Sequence, residues 1–272
     1  MKTKNIVILT GSEQRHAFIR KSLALNNNIN VMKSYCEIKD GSLDKVVSTY
    51  NDDLQKEHLV ARKQSEEDFF NSLNIIAPDM SNPYFITKGT INEDSNIQEI
   101  ISLNPDLIIA YGCSLIKPKL INFFKQRFFN IHLGLSPYYR GSGTNFFPLV
   151  NAELEYVGAT FMYIDEGIDT GDIIHQIRAR VFKNDTPHQI GNRLISDIAI
   201  ECIKIVNNSD VLKSIIQPKD KKNGKYYKQS DFTPAAVAKV YSNFNKGIVN
   251  TYLKMKESEK ALLFENPTIK EI

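Results

Sequence analysis

Short, unbroken apolar runs recur along this sequence, and segments with helical periodicity separate them. Residues 5–10 (NIVILT) and 106–111 (DLIIAY) carry apolar side chains at consecutive positions, without polar and apolar residues alternating. A strand of this kind has to be covered on both faces, which is typical of parallel sheets flanked by helices. The sequence therefore predicts an α/β fold with a mostly parallel sheet.

The remaining elements follow from the same patterns. We predict further strands at residues 29–38, 84–87, 128–132, 157–164 and 173–181, where the last two flank an acidic loop and can pair. Helices are predicted at residues 13–25, 95–103, 120–124, 186–205 and 233–248, and the charged stretch 42–67 is interpreted as a surface helix. Thr186 and Gln189 have the spacing of a helix capping box.

The pattern changes beyond about residue 208. Residues 213–227 are polar and basic, which indicates an excursion or hairpin, and Thr233-Pro234 has the form of a helix start. We therefore predict a body, residues 1–208, and a short C-terminal extension, residues 209–272, that consists of a hairpin plus a helix. A chain of 272 residues, 42% of them apolar, is long enough for this arrangement.

Composition limits the partners and the compartment. The chain has 34 Lys and Arg against 31 Asp and Glu, so its formal charge of +3 does not require a nucleic-acid partner. Its three widely spaced cysteines suit reduced thiols in the cytoplasm. Because no stretch approaches the ~20 apolar residues of a membrane span, we expect a cytoplasmic protein without a membrane partner.

Three polar features follow predicted strands, where open α/β sheets place their sites. Asn130 and His132 lie two residues apart on one strand, so their side chains share a face. The loop 165–172 (DEGIDTGD) holds four carboxylates, and Tyr111-Gly-Cys-Ser-Leu115 follows another strand. Taken separately, these features also suit structural roles. The acidic loop lacks the ligand order of an EF-hand, and no His or Cys cluster has zinc spacing, so no metal is predicted.

Taken together, the motifs are more specific. Asn130-x-His132, the loop Leu133-x-x-Ser-Pro-x-x-Arg-Gly141, and Asp169 within the acidic loop resemble, in this order and spacing, the 10-formyltetrahydrofolate-dependent formyltransferase family. The similarity runs from about residue 105 to 196. It implies a Rossmann-like formyltransferase core with 10-formyltetrahydrofolate as co-substrate and no metal.

The resemblance also implies site residues. Asn130, His132 and Asp169 would be the catalytic residues: the amide and a protonated imidazole would stabilise the oxyanion that forms on the formyl group, and Asp169 would orient the imidazole and relay a proton. The pterin of the folate would lie against the backbone of two segments, which comprise Tyr111, Gly112, Cys113, Ser114 and Leu115, and Asp165, Glu166, Gly167 and Ile168.

Within this family, the extension and the 42–70 insertion favour the sugar-nucleotide formyltransferases, which act on the amines of nucleotide-linked amino sugars for cell-surface glycans such as lipopolysaccharide. Such enzymes pair through a short C-terminal piece, so we expect a homodimer. Aromatic residues of the extension could form that interface or pack within the chain: Tyr226, Tyr227, Tyr241 and Phe244.

Other functions stay open. The alternatives are a methionyl-tRNA formyltransferase, a formyltetrahydrofolate hydrolase and a folate-binding module without turnover. A basic cluster could contact tRNA phosphates, a nucleotide diphosphate or only solvent: Lys213, Lys219, Lys221, Lys222, Lys225 and Lys228. Three arginines are candidate contacts for a phosphate or a sugar: Arg15, Arg62 and Arg140.

Overall fold

A computed structural model describes residues 2–38, 47–218 and 224–270 of the chain. The strands of this part are β1 (Lys4–Gly11), β2 (Ile29–Ile38), β3 (Pro83–Thr87), β4 (Leu107–Tyr111), β5 (Phe128–His132), β6 (Tyr139–Gly141), β7 (Gly158–Tyr163), β8 (Ile173–Arg178) and β9 (Lys225–Tyr227). Seven of them form one sheet in the order β3-β2-β1-β4-β5-β7-β8. The pairs from β3 to β5 are parallel, whereas β7 and β8 are antiparallel additions.

The helices cover both faces of this sheet. They are α1 (Gln14–Ala24), α2 (Asp53–Ile76), α3 (Asp94–Leu103), α4 (Pro118–Phe124), α5 (Phe147–Val150), α6 (Pro187–Asn207), α7 (Pro234–Asn245), α8 (Ile248–Lys254) and α9 (Pro267–Lys270). The predicted capping box of α6 forms: the Thr186 hydroxyl accepts from the Gln189 backbone N–H, and the Gln189 side chain accepts from the Thr186 backbone N–H. None of the described helices combines the length and the apolarity needed to span a membrane.

Consecutive residues of the apolar runs point to opposite faces and enter different cores. Ile6 and Ile8 of β1 pack in a cluster with α1 and α6, while Val7 and Leu9 pack with α3 and α4 on the other face. All four side chains are almost completely buried. This two-sided burial confirms the predicted α/β class and explains why the runs do not alternate.

Two helical segments differ from the predictions. Helix α2 lies at the surface, as predicted, but one side of it packs on the protein, where Gln55, His58, Glu66 and Phe70 are buried. Residues 42–46 lie outside the described part. The buried polar side chains of α2 are hydrogen-bonded: the Gln55 amide donates to the Phe232 carbonyl, and the Glu66 carboxylate accepts from Arg15. The helix predicted from Ser95 begins one residue earlier, since Glu93 holds the N-cap position.

The extension pairs with the body. The hairpin predicted within residues 213–227 includes residues 219–223, which lie outside the described part. Strand β9 pairs in parallel with β6, and Ile215 forms an antiparallel bridge with Ile173 of β8. The last predicted helix, residues 233–248, ends at Asn245 as α7, and a further helix, α8, begins after Gly247, whose φ of 84° lies in the left-handed region. Helix α7 docks on the body, where the Asn243 amide donates to the carbonyls of Leu149 and Val150. The division at residue 208 stays a prediction.

The histidines predict a strong pH dependence of stability. Burial is the main cause that lowers the pKa of four of them, to about 3 or 4: His16, His58, His175 and His188. In the unfolded chain these groups bind protons near pH 6.5, so below that pH the unfolded state binds more protons than the folded state. We expect the free energy of unfolding to fall between pH 6.5 and 4, by up to about 5 kcal/mol per pH unit.

Thermal or urea unfolding at pH 7, 6 and 5 measures this slope. The variant His188→Leu removes one of the four groups and should reduce the slope by about a quarter. An equal Tm at pH 7 and pH 5 would contradict the prediction.

Candidate active site

A cavity of about 480 Å³ opens beside the end of β4, the middle of β5 and the end of β7. Five parts of the chain line it: residues 110 and 113–116, residue 130, residues 141–142, residues 162–165 and 167–171, and residues 226–229. Four of these parts belong to the body, and the fifth comes from β9 and the residues after it. The cavity therefore lies at the carboxyl edge of the sheet, as expected for an open α/β fold, and the extension forms one of its walls.

The structure brings together the three residues predicted to be catalytic. Asn130 and Asp169 both line the cavity. His132 lies behind this wall, 6% exposed, with its Nδ1 3.2 Å from Oδ1 of Asp169. Asn130 and His132 occupy alternate positions of β5, as their spacing predicts. An amide and a carboxylate thus face the cavity, and an imidazole supports the carboxylate from behind.

Asp169 is fixed from two directions. Its Oδ2 accepts a hydrogen bond of 2.9 Å from the backbone N–H of Gly141, and its Oδ1 faces His132. Its backbone has a φ of 55°, a left-handed conformation that costs a non-glycine residue about 1–3 kcal/mol. Such strain persists where the surroundings hold it, and here both contacts of the carboxylate do so.

His132 has an acceptor at each ring nitrogen. Nδ1 faces the Asp169 carboxylate, and Nε2 lies 3.1 Å from the carbonyl oxygen of Tyr139. A neutral imidazole carries a single N–H and can donate to one of them, whereas the imidazolium donates to both. The His132 ring is therefore held between the acidic loop and the loop after β5.

A buried polar network shapes the loop after β5. The Thr160 hydroxyl donates to the Gly134 carbonyl at 2.6 Å and accepts from the Ser136 N–H at 3.0 Å, and the Gln176 amide donates to the Ser136 carbonyl at 2.6 Å. A Cβ on Gly134 would lie 2.5 Å from Nε2 of His132, so only glycine allows this approach. Neither Thr160 nor Gln176 was predicted, although a polar residue inside an apolar strand was a usable signal.

The segments predicted to hold a pterin reach the cavity only in part. Its lining includes Cys113, Ser114, Leu115, Asp165, Gly167 and Ile168. Three other predicted contacts lie outside the lining. Tyr111 packs on His16 at the opposite face of the sheet, and Gly112 also approaches the His16 ring. The exposed Glu166 carboxylate lies 3.4 Å from the Asn122 amide.

Glu37 positions one of these segments and was not predicted. Its buried carboxylate accepts from the backbone N–H of Ser114 at 2.6 Å and from that of Gly89 at 2.9 Å. Burial, and then the charge of Glu37, raise the pKa of the Cys113 thiol to about 12, so this cavity cysteine stays protonated. An acidic residue near the end of the predicted strand 29–38 was the available signal.

The candidate arginines divide between two places. Arg15 and Arg62 share the Glu66 carboxylate, with nitrogen–oxygen distances of 2.7 and 3.1 Å, beside Tyr111 on the opposite face of the sheet from Asn130. Arg140 lies on β6, next to the cavity. Within the described residues, no group of three or more His, Cys, Asp or Glu side chains is arranged to hold a metal ion.

Most of the aromatic candidates pack within the chain. Tyr227 stacks on Phe147 with 3.8 Å between ring centroids, the Tyr241 hydroxyl lies 3.2 Å from Nδ1 of His58, and Phe244 packs against the core. Tyr226 is half exposed and lines the cavity. The homodimer stays a prediction.

The lysines of the predicted basic cluster that the structure describes have different surroundings. Lys225 contacts the Glu153 carboxylate, and Lys228 lines the cavity. Three other members lie outside the described residues: Lys219, Lys221 and Lys222.

A comparison with protein families decides the relationship. The sequence profile of the formyl transferase family matches residues 20–204, a segment that contains Asn130, His132 and Asp169. The chain belongs to the formyl transferase family. Its resemblance to that family, inferred from the motifs, is confirmed.

Related formyl transferases are similar over parts of their length. The methionyl-tRNA formyltransferase of Clostridioides difficile (strain 630) is 36% identical over 109 residues, which is 40% of this chain and 35% of that protein. The methionyl-tRNA formyltransferase of Caldicellulosiruptor saccharolyticus is 30% identical over 211 residues, 71% of this chain and 63% of that protein. The chain thus spans less than two thirds of these relatives.

Solved structures share the fold at low sequence identity. A sugar N-formyltransferase from a Shewanella species has a TM-score of 0.54 at 17% identity, covering 88% of this chain and 87% of its own. The Helicobacter canadensis N-formyltransferase, in complex with folinic acid and dTDP-3-aminofucose, has a TM-score of 0.53 at 16% identity, covering 89% and 80%. The phosphoribosylglycinamide formyltransferase of Anaplasma phagocytophilum reaches 0.54 at 14% identity, covering 84% and 100%.

The contacts of Glu37 give a testable prediction. In Glu37→Gln, one oxygen acceptor becomes an NH2 group that faces a backbone N–H, which leaves a buried donor without a partner. We expect the free energy of unfolding to fall by about 1–3 kcal/mol, measured by urea denaturation. The control Glu57→Gln, on the exposed side of α2, should stay within about 0.5 kcal/mol of the unchanged protein. Equal stability of Glu37→Gln and the unchanged protein would contradict the prediction.

Proposed function

We propose that this enzyme transfers the formyl group of 10-formyltetrahydrofolate to the primary amine of a nucleotide-linked amino sugar, for a cell-surface glycan such as lipopolysaccharide. One observation carries the proposal. Asn130 and Asp169 face a common cavity, and the His132 ring lies 3.2 Å behind the Asp169 carboxylate. The cavity therefore offers a donor for an oxyanion next to a pair of groups that can exchange a proton.

The loops around the cavity suit the folate donor. Residues 113–116 and 165–168 flank Asn130, and their backbone groups can pair with the hydrogen-bonding edge of a pterin. Glu37 holds the first of these loops through the Ser114 N–H. The folinic acid in the structurally similar Helicobacter canadensis N-formyltransferase supports a folate ligand.

In the proposed reaction, a neutral amine attacks the formyl carbon, and a new carbon–nitrogen bond forms as the bond to N10 of the folate breaks. The Asn130 amide donates to the oxyanion, a contact that typically contributes about 3–4 kcal/mol to transition-state stabilisation. The Asp169–His132 pair accepts the proton that the amine loses and returns it to N10, the leaving nitrogen. The reaction ends with the formamide and tetrahydrofolate.

The acceptor would approach at the same edge of the sheet, from the face opposite Asn130. There the Tyr111 hydroxyl and Nε2 of His188 are buried and have no hydrogen-bond partner among the described residues. Arg15 and Arg62 lie in this region, and the Arg62 side chain is 45% exposed. Unpaired polar groups beside two guanidinium groups suit a hydroxylated sugar with an anionic diphosphate.

A methionyl-tRNA substrate is the second candidate, because the curated relatives carry that name. The placement of the lysines supports the sugar nucleotide over tRNA. Lys225 is engaged with Glu153, and Lys228 faces the cavity, so these two do not build the broad basic surface that phosphate backbones require.

We propose the cytoplasm as the site of action, where Cys36, Cys113 and Cys202, all free in the structure, would stay reduced. We also propose that residues 1–208 carry the reaction and that residues 209–272 complete its cavity. The contact of residues 226–229 with that cavity supports this division of roles.

The proposal is tested by incubating the protein with 10-formyltetrahydrofolate and a panel of amines, while tetrahydrofolate release and the mass of the acceptor are followed. We expect release that depends on an amino-sugar nucleotide, together with formylation of that nucleotide. Formylation of methionyl-tRNA alone would establish the second candidate. Release without any amine would indicate a hydrolase, and folate binding without release would indicate a binding module; either result would overturn the proposal.

A further inference from the structure

Three exposed apolar side chains surround the mouth of the cavity. Leu115 is 70% exposed, Ile168 45% and Tyr226 50%, and all three line the cavity. They come from the loop after β4, the loop after β7 and strand β9. Large apolar groups that stay in solvent around one concave site indicate a ligand with an apolar part that covers them.

Lys228 supplies a positive charge in the same wall. It lies two residues after Tyr226, is exposed, and makes no ion pair with the described residues. The other charged residues of the lining are Asp165 and Asp169. The Asp231 carboxylate accepts from the Lys228 backbone N–H at 2.7 Å. The wall that the extension contributes therefore offers an aromatic face followed by an exposed ammonium group.

The backbone holds Tyr226 in this place. Its strand pairs with β6, where Arg140 is opposite Tyr226 and Gly141 is opposite Tyr227. A Cβ on Gly141, whose φ is 92°, would lie 2.1 Å from the Tyr227 carbonyl oxygen and 3.1 Å from the Tyr226 ring. Only glycine allows β9 to approach this closely, so Tyr226 lies directly above the segment that holds Asp169 through the Gly141 N–H.

The covalent structure of the donor determines which part of it would meet this wall. The formyl group is attached to N10, which joins the pterin on one side to the aminobenzoyl ring and its glutamate on the other. If the formyl group lies beside Asn130 and the pterin lies between residues 113–116 and 165–168, the part of the lining left for the aminobenzoyl ring includes Gly141, Ser142 and residues 226–229. Tyr226 and Lys228 belong to this part.

We propose that Tyr226 and Lys228 form a subsite for the tail of the folate donor, in which Tyr226 stacks on the aminobenzoyl ring and Lys228 pairs with the glutamate carboxylates. This inference rests on the proposed function. It gives the extension a specific role, since the body binds the reacting part of the donor and the extension binds its tail.

Calorimetric titration of the full chain with 5-formyltetrahydrofolate, a stable analogue that carries the whole tail, tests the subsite. We expect Tyr226→Ala to weaken binding about five- to tenfold, as the loss of an aromatic stack predicts. Lys228→Gln should weaken it about threefold, and this effect should disappear at high salt. Neither variant should change the affinity for 6-methyltetrahydropterin, which has the ring system without the tail.

Matched controls separate this effect from a general loss of aromatic or basic residues. Tyr84→Ala removes a similarly exposed tyrosine on the edge strand β3, and Lys239→Gln removes an exposed lysine on α7. Both should bind 5-formyltetrahydrofolate as the unchanged protein does. All four variants should keep the melting temperature of the unchanged protein within a few degrees, because the substituted side chains are exposed.

Two results would overturn the inference alone. In the first, the unchanged protein binds 5-formyltetrahydrofolate and the variants bind it equally well. In the second, the variants lose affinity for dTDP or UDP and keep it for the folate, which would assign the aromatic and cationic wall to the acceptor nucleotide. If the unchanged protein does not bind 5-formyltetrahydrofolate, the proposed donor and the tail subsite both fail.

Discussion

The Asp169 carboxylate joins three parts of the chain that are distant in sequence. It accepts from the Gly141 N–H on one side and faces the His132 ring on the other, so the acidic loop, β5 and β6 meet at one side chain. The left-handed backbone of Asp169 aims the carboxylate inward. Since β6 in turn pairs with β9, the same contact orders the wall that the extension contributes. The cavity depends on this connection more than on any single loop.

The change from parallel to antiparallel pairing makes this connection possible. Strand β7 runs antiparallel to β5, with Thr160 opposite His132. The loop after β5 therefore folds over the start of β7, where the Thr160 hydroxyl and the Gln176 amide fix its carbonyls. A parallel strand at this place would need a crossover helix and could not bring its polar residues beneath the loop. The sheet thus supplies a rigid support for a site made of loops.

The sequence predicted the body well because its signals are local. Strands 29–38 and 128–132 have the predicted bounds, since each is a segment rich in strand-forming residues. The relation of Asn130 to His132 follows from the two-residue period of a strand, and the motifs identified Asp169. The features that were not predicted depend on partners distant in sequence. Glu37 accepts from the N–H of Ser114, 77 positions away, and α2 buries polar residues against other parts of the chain. Strands β6 and β9, of three residues each, are too short to show periodicity.

The central claim is that Asp169 and His132 act as one unit beside Asn130. A double-mutant cycle in kcat/KM for formyl transfer, with His132→Gln, Asp169→Asn and the double variant, measures this coupling most directly. Each single variant should lower kcat/KM by orders of magnitude, and the double variant should be about as slow as the slower single one, a coupling of more than about 1.5 kcal/mol. Losses that add in full, or near-normal turnover in either single variant, would contradict the account.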